Sequence, residues 1–178
     1  MITLEHVKSW ATGDIKKTLE GAEALESVKQ VGSTLRYVRK QTHEICLEAV
    51  KKEGLALQHV IDQTPEICLA AVVQNGRALH YVRKQTPEIC LAAVIQNGWA
   101  LQYVIDQTPE ICLAAIKHEG WALQYVRKQT PEICLAAVKG DSTAIKYVDT
   151  SVFEPETLEL SVSDIEKLLG RKIKVVKE

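Results

Sequence analysis

Apolar and polar positions along this chain repeat with a period of 22 residues, and the stretch 86–107, TPEICLAAVIQNGWALQYVIDQ, states the pattern most clearly. Its first apolar block, Ile89, Cys90, Leu91, Ala92, Ala93 and Val94, leaves almost no polar face, the pattern of a helix covered on several sides. A second set, Ala100, Leu101, Val104 and Ile105, falls at i, i+1, i+4 and i+5 and forms one stripe. Polar residues punctuate the blocks. Thr86 suits an N-cap, Pro87 a first helical position where its missing N–H costs nothing, and Glu88 the positive end of the helix dipole. Asn97-Gly98 closes the block, with Gly98 expected in the left-handed conformation at C′. The spacing therefore predicts one α-helix up to Asn97 and a second from Trp99 to about Asp106, a short helical hairpin.

Copies of this unit begin at Thr42, Thr64, Thr108 and Thr130, and a worn copy occupies residues 20–41. Neither helix is long enough to be stable alone in water, so stacking of neighbouring units must supply stability. Small residues at mid-helix, such as Ala92, Ala93 and Ala100, allow helix axes to approach at ~8–10 Å, and six hairpins at that spacing span on the order of 50–60 Å. The fold class is all-α: an α-solenoid of 22-residue two-helix repeats over residues 20–149. Residues 1–19 break the pattern but keep helical spacing through Leu4, Val7 and Trp10, and are read as an N-terminal helical cap. In the last copy Gly140 arrives early and Ser142 takes the usual Gly place, which predicts a shortened first helix. Residues 150–178 change character: Phe153 and the alternation Leu158, Leu160, Val162, then a capping box from Ser163 to Glu166, then Ile173, Val175 and Val176 predict a small strand-helix-strand cap. A pair of strands carries open edges, so this segment is also the expected joint of any homo-oligomer.

Composition narrows the picture in two places. Aromatic residues make up 5% of the 178, which fits a core of Ile, Leu, Val, Ala and Cys between closely spaced short helices. The formal net charge of -1 offers no broad positive footprint for nucleic acid. No signal peptide and no run of 18 apolar residues is evident, which implies a soluble, cytoplasmic protein with no membrane partner.

The repeat pattern, read at Glu88, Leu91, Ala93, Gly98, Ala100, Leu101, Tyr103 and Val104, resembles a tandem repeat family described as domain of unknown function 4116. The resemblance covers about residues 21–148 and implies occurrence in bacteria, phages or large viruses. It carries no activity.

Candidate chemistry is sparse. Cys46, Cys68, Cys90, Cys112 and Cys134 share one repeat position and form a ladder, whose rungs at helix packing distance are too far apart for a disulfide or a zinc site. They read as small buried hydrophobes. His6, His43, His59, His80 and His118 fall in unrelated places, and no triad, phosphate loop or paired-carboxylate motif is present. The expectation is a non-enzymatic protein without cofactor or metal. The repeats differ most at the position after the Gly, which reads Leu55, Arg77, Trp99 and Trp121 and should line one edge. Trp and Arg dominate binding hot spots, so this edge is the candidate protein-binding surface, with local packing of each Trp as the bland alternative. A second pattern alternates along the units: Arg39-Lys40, Ile61-Asp62, Arg83-Lys84, Ile105-Asp106, Arg127-Lys128. It predicts a ladder of ion pairs, with Asp62 facing Lys40 or Lys84, and offers Arg39, Lys40, Arg83, Lys84, Arg127 and Lys128 as an alternative nucleic-acid stripe. Tyr37, Tyr81, Tyr103, Tyr125 and Tyr147 are expected to pack between hairpins with their hydroxyls wet.

Overall fold

The computed structural model describes residues 19–153. The expected N-terminal cap, save Leu19, and the strand-helix-strand cap beyond Phe153 lie outside them. Within them the chain is mostly helical, built from repeated two-part units, with no strand among the described residues.

Each unit opens with a ten-residue α-helix: α1 (Gly21–Gln30), α2 (His43–Lys52), α3 (Pro65–Gln74), α4 (Pro87–Gln96), α5 (Pro109–His118) and α6 (Pro131–Gly140). The predicted start is the observed one. In α2 to α6 the threonine N-cap hydroxyl accepts the backbone N–H of the isoleucine three residues on, at 3.3 Å in every case. The worn α1 has no side-chain cap. Gly140 does not shorten the final helix; α6 has the same ten residues as the others, so that expectation fails. In α4, Ile89, Cys90, Ala93 and Val94 are buried, Leu91 and Ala92 half-buried.

The second part of each unit is not an α-helix. It is two turns of 3₁₀-helix, at Gly32–Tyr37, Gly54–His59, Gly76–Tyr81, Gly98–Tyr103, Gly120–Tyr125 and Ser142–Tyr147. With three residues per turn, positions i and i+3 eclipse, so Gly98 and Leu101 share the buried side together with Ala100. Val104 follows in extended conformation and is buried, whereas Ile105, placed in the stripe by the α-helical reading, is 61% exposed.

Gly98 is not left-handed, nor are Gly32, Gly54, Gly76 and Gly120 at the same repeat position; the α-helix ends on Asn97 in extended conformation, at φ -156 and ψ 111. The glycine answers to contact. A Cβ on Gly76 would lie 2.5 Å from Ala93 O of the next unit, and one on Gly54 would lie close against Ala71 O. The same close approach recurs at Gly32, Gly98 and Gly120. Ser142, in the sixth unit, faces no further repeat among the described residues, and neighbouring Ile145 is exposed where Leu35, Leu57, Leu79, Leu101 and Leu123 are buried.

Packing runs between neighbours in sequence: each α-helix lies against the α-helix before and after it, and each 3₁₀ segment against the adjacent 3₁₀ segments. A ladder of glutamines, unread in the sequence, ties these units. Gln85 Nε2 donates to Tyr103 O at 2.8 Å, and Gln85 Oε1 accepts Ile105 N–H at 2.9 Å. The same pair of bonds runs from Gln41 to His59 O and Ile61 N, from Gln63 to Tyr81 O and Arg83 N, from Gln107 to Tyr125 O and Arg127 N, and from Gln129 to Tyr147 O and Asp149 N. One period before Gln41 stands Leu19, whose main-chain N–H and C=O bond Tyr37 O and Arg39 N–H as a parallel bridge. The glutamine side-chain amide thus does in later units what a peptide group does in the first. Both bond the carbonyl of the last 3₁₀ residue and the N–H two residues further on, in the linker between units.

Candidate functional site

The variable position after each glycine falls at the second residue of each 3₁₀ segment, so successive units carry Leu55, Arg77, Trp99 and Trp121 on one edge of the molecule. The local fold points these side chains out, since the glycine before and the alanine after each are buried. Leu55 is 37% and Trp99 43% exposed, Arg77 is exposed and Trp121 half-buried. The structure brings the two tryptophans together: their ring centroids are 4.3 Å apart with planes at 76°, an edge-to-face pair. Trp99 also meets Tyr125 at 5.9 Å, so its packing is with the next unit. Arg77, Asn97, Trp99, Gln102 and Tyr103 line an open cleft of about 400 Å³. Beside it His80 meets Tyr81 edge-to-face and Tyr103 at a tilt, at ring-centroid distances of 5.0 and 4.9 Å.

The footing of the edge varies between units. Asn75 and Asn97 cap the 3₁₀ turn by accepting Arg77 N–H and Trp99 N–H, while Gln74 and Gln96 reach back to Gly54 N–H at 2.6 Å and Gly76 N–H at 2.5 Å. In the fifth unit these two positions are His118 and Glu119. Glu119 gives its 3₁₀ segment no cap, and its Oε2 is buried without a hydrogen-bond partner close to Gly98. Its Oε1 lies 3.8 Å from His118 Nδ1. Glu53, at the matching place in the second unit, accepts Ser33 N–H from the unit before.

The alternating charges do not form the predicted ion-pair ladder. Among the described residues neither Asp62 nor Asp106 has an ion pair with Lys40, Lys84 or Lys128. The arginines reach backbone instead: Arg83 forks onto Ile61 O at 2.6 Å and Val60 O at 3.2 Å, and Arg127 onto Ile105 O at 2.7 Å and Val104 O at 2.8 Å. Each guanidinium spans two carbonyls at the end of the preceding unit, so this contact recurs every second unit. Arg39 pairs with Glu20 at 3.5 Å. Of the residues offered as a nucleic-acid stripe, Arg83 and Arg127 are thereby engaged with the chain itself, and Lys40, Lys84 and Lys128 stand exposed at alternate units.

The cysteines form the expected buried, unpaired ladder. Burial pushes all five thiols up, Cys46 and Cys134 to about 11, the carboxylates of Asp62 and Asp149 adding to the effect at these two. Cys46, Cys68, Cys90 and Cys134 each donate to the glutamine five residues earlier, at 3.1 to 3.7 Å, so the thiols buttress the glutamine ladder. No cluster of three potential metal ligands occurs among the described residues. Besides the His118–Glu119 contact, His43 Nε2 lies 3.0 Å from Glu66 Oε2, an exposed link between the second and third units. No described helix is long and apolar enough to cross a membrane.

No curated protein and no solved structure matches the chain. A family model does, in tandem, over residues 64–107 and 108–152. Each match covers two repeats, the first ending Arg83-Lys84 and the second Ile105-Asp106 in residues 64–107. The chain belongs to the tandem repeat family described as domain of unknown function 4116.

Proposed function

We propose that the chain is a non-enzymatic scaffold, an elongated solenoid of stacked units that binds a partner protein along the edge of Leu55, Arg77, Trp99 and Trp121. The observation that carries this reading is Trp99: a large ring 43% exposed, fixed edge-to-face against Trp121 and beside an arginine, on a backbone repeated with little change in every other respect. Rigid aromatic side chains that lose little freedom on binding are the residues from which interface hot spots are made. The framework beneath is devoted to holding units together through the glutamine, cysteine and arginine positions, which leaves the edge as the place where one unit differs from the next. By analogy with the bacterial and phage setting the family implies, the partner would be a bacterial protein that the scaffold occupies and blocks. No cofactor is needed for this.

The test is a pull-down from bacterial lysate with nuclease treatment, using the wild-type chain beside Trp99→Ala/Trp121→Ala. A stoichiometric protein retained by the wild type through nuclease and lost by the variant supports the reading; retention by both refutes the site. Capture of nuclease-sensitive material alone would replace it with nucleic-acid binding.

A further inference from the structure

Among the described helical segments, Asp and Glu occur only in the α-helices, which also carry Lys29, Lys51, Lys52, Lys117 and Lys139 in their last turns. Each α-helix carries a glutamate in its first turn, Glu23, Glu44, Glu66, Glu88, Glu110 and Glu132, and all six are exposed. The six 3₁₀ segments that begin each second half contain no Asp or Glu at all, although the chain as a whole has 23 acidic and 22 basic residues. The charged and large apolar side chains they expose are Arg36, Arg77, His80, Lys146, Leu55, Trp99 and Ile145, with Trp121 half-buried beside Trp99. The two glutamates that border this layer are turned into it: Glu53 bonds Ser33 N–H, and Glu119 buries Oε2 against Gly98.

From this charge arrangement we infer that the occupant of the edge is an acidic, extended protein segment, with an aromatic or leucine side chain seated on Trp99 and Trp121 and a carboxylate held by Arg77. This deepens the scaffold reading and rests on it. Arg77 and Trp99 line the same cleft, which sets the carboxylate and the apolar anchor of the ligand within one or two residues of each other. A guanidinium favours a carboxylate because its planar fork offers two parallel donors. The first turns of the α-helices, each carrying an exposed glutamate, disfavour the same segment. Nucleic acid fits less well. Tracking a phosphate backbone takes cations at close intervals, whereas Arg36, Arg77 and Lys146 fall in the first, third and sixth units. The edge-to-face Trp pair also leaves no slot into which a base could stack between the rings.

The test is selection of a displayed library of randomised peptides on the full wild-type chain, with Arg77→Glu and Trp99→Ala/Trp121→Ala as parallel baits and poly-uridylate as a competitor. The expected result is enrichment of Asp and Glu next to Trp, Phe or Leu, with at least tenfold weaker binding to both variants and no displacement by poly-uridylate. Enriched peptides that are neutral or basic, yet still need the tryptophans, would overturn the acidic assignment and leave the scaffold reading standing. Peptides indifferent to both variants, or no enrichment, would overturn the edge itself. Displacement by poly-uridylate would move the face to nucleic acid.

Discussion

Replacing Gln85 by Leu removes a side chain of similar size whose amide satisfies two main-chain groups of the following unit, Tyr103 O at 2.8 Å and Ile105 N–H at 2.9 Å. The two losses are unequal. Tyr103 is half-buried, so its orphaned carbonyl bears most of a desolvation penalty of about 1–3 kcal/mol, whereas Ile105 is exposed and its N–H gains water at little cost. The Cys90 thiol loses its weak acceptor as well. The sum is about 1–3 kcal/mol, a large part of the stability of a domain this size. Gln85→Glu separates this mechanism from general packing loss. The carboxylate still accepts from Ile105 N–H but turns a negative oxygen toward Tyr103 O, so the folded state favours the protonated acid. Its folded pKa then lies above the unfolded value of about 4.3, the native state binds more protons, and stability falls as pH rises through the folded pKa. Urea unfolding followed by circular dichroism, at pH 4.5 and pH 8 with wild type as the control, reads both effects. A Leu variant within about 0.5 kcal/mol of wild type, or a Glu variant whose difference from wild type ignores pH, would refute the claim that the glutamine ladder joins the units.

Gly76→Ala should destabilise by at least about 2 kcal/mol, because its Cβ would meet backbone Ala93 O at 2.5 Å, while Gly140→Ala, with nothing near, should gain about 0.5–1 kcal/mol; thermal melts of the two compare them directly. His118→Gln with Glu119→Asn copies the footing of the third and fourth units, removes the unpartnered Oε2 and adds a cap on Trp121 N–H, for a gain of about 1–2 kcal/mol in urea unfolding. The five buried thiols should resist a disulfide reagent until denaturant is added. Because their folded pKa values are raised, the stability they carry is whole below pH 9.0 and is lost as pH climbs toward about 11, so urea midpoints should drop across that interval; Cys46→Ala should lessen the drop.

Period, helix starts and the buried cysteine ladder were legible in the sequence because each follows from local rules: Thr-Pro-Glu caps a helix wherever it stands, and a run such as Ile89 to Val94 must be covered. The second half of the unit was not. Six residues between Gly98 and Tyr103 are too few for periodicity to separate 3.0 from 3.6 residues per turn, and Ile105 was drawn into the stripe as a result. Gly98 misled for a related reason. Asn-Gly reads as a left-handed stop, yet what crowds a side chain there is a carbonyl 17 residues away in sequence, Ala115 O, visible only once the units stack. Gln85 and its equivalents look like ordinary polar linker residues, although Leu19 at the same phase shows that the position is a main-chain bonding site. The alternation of Arg83 with Ile105 was noticed but assigned to ion pairs, since charge is what letters display and the carbonyls of a preceding unit are not. The Leu55, Arg77, Trp99, Trp121 edge was found from variation among otherwise uniform repeats; the contact between its two rings needed coordinates.

The central claim is that this edge binds protein, and affinity measured against salt tests it most directly. Titration of the recovered partner, or of a selected peptide, into wild type and Trp99→Ala/Trp121→Ala at low and at raised salt should show a loss of at least tenfold in the variant, with unchanged helicity, and a shallow salt slope for the wild type. Equal affinity of both chains, or a steep logarithmic fall with salt that the variant shares, would contradict it.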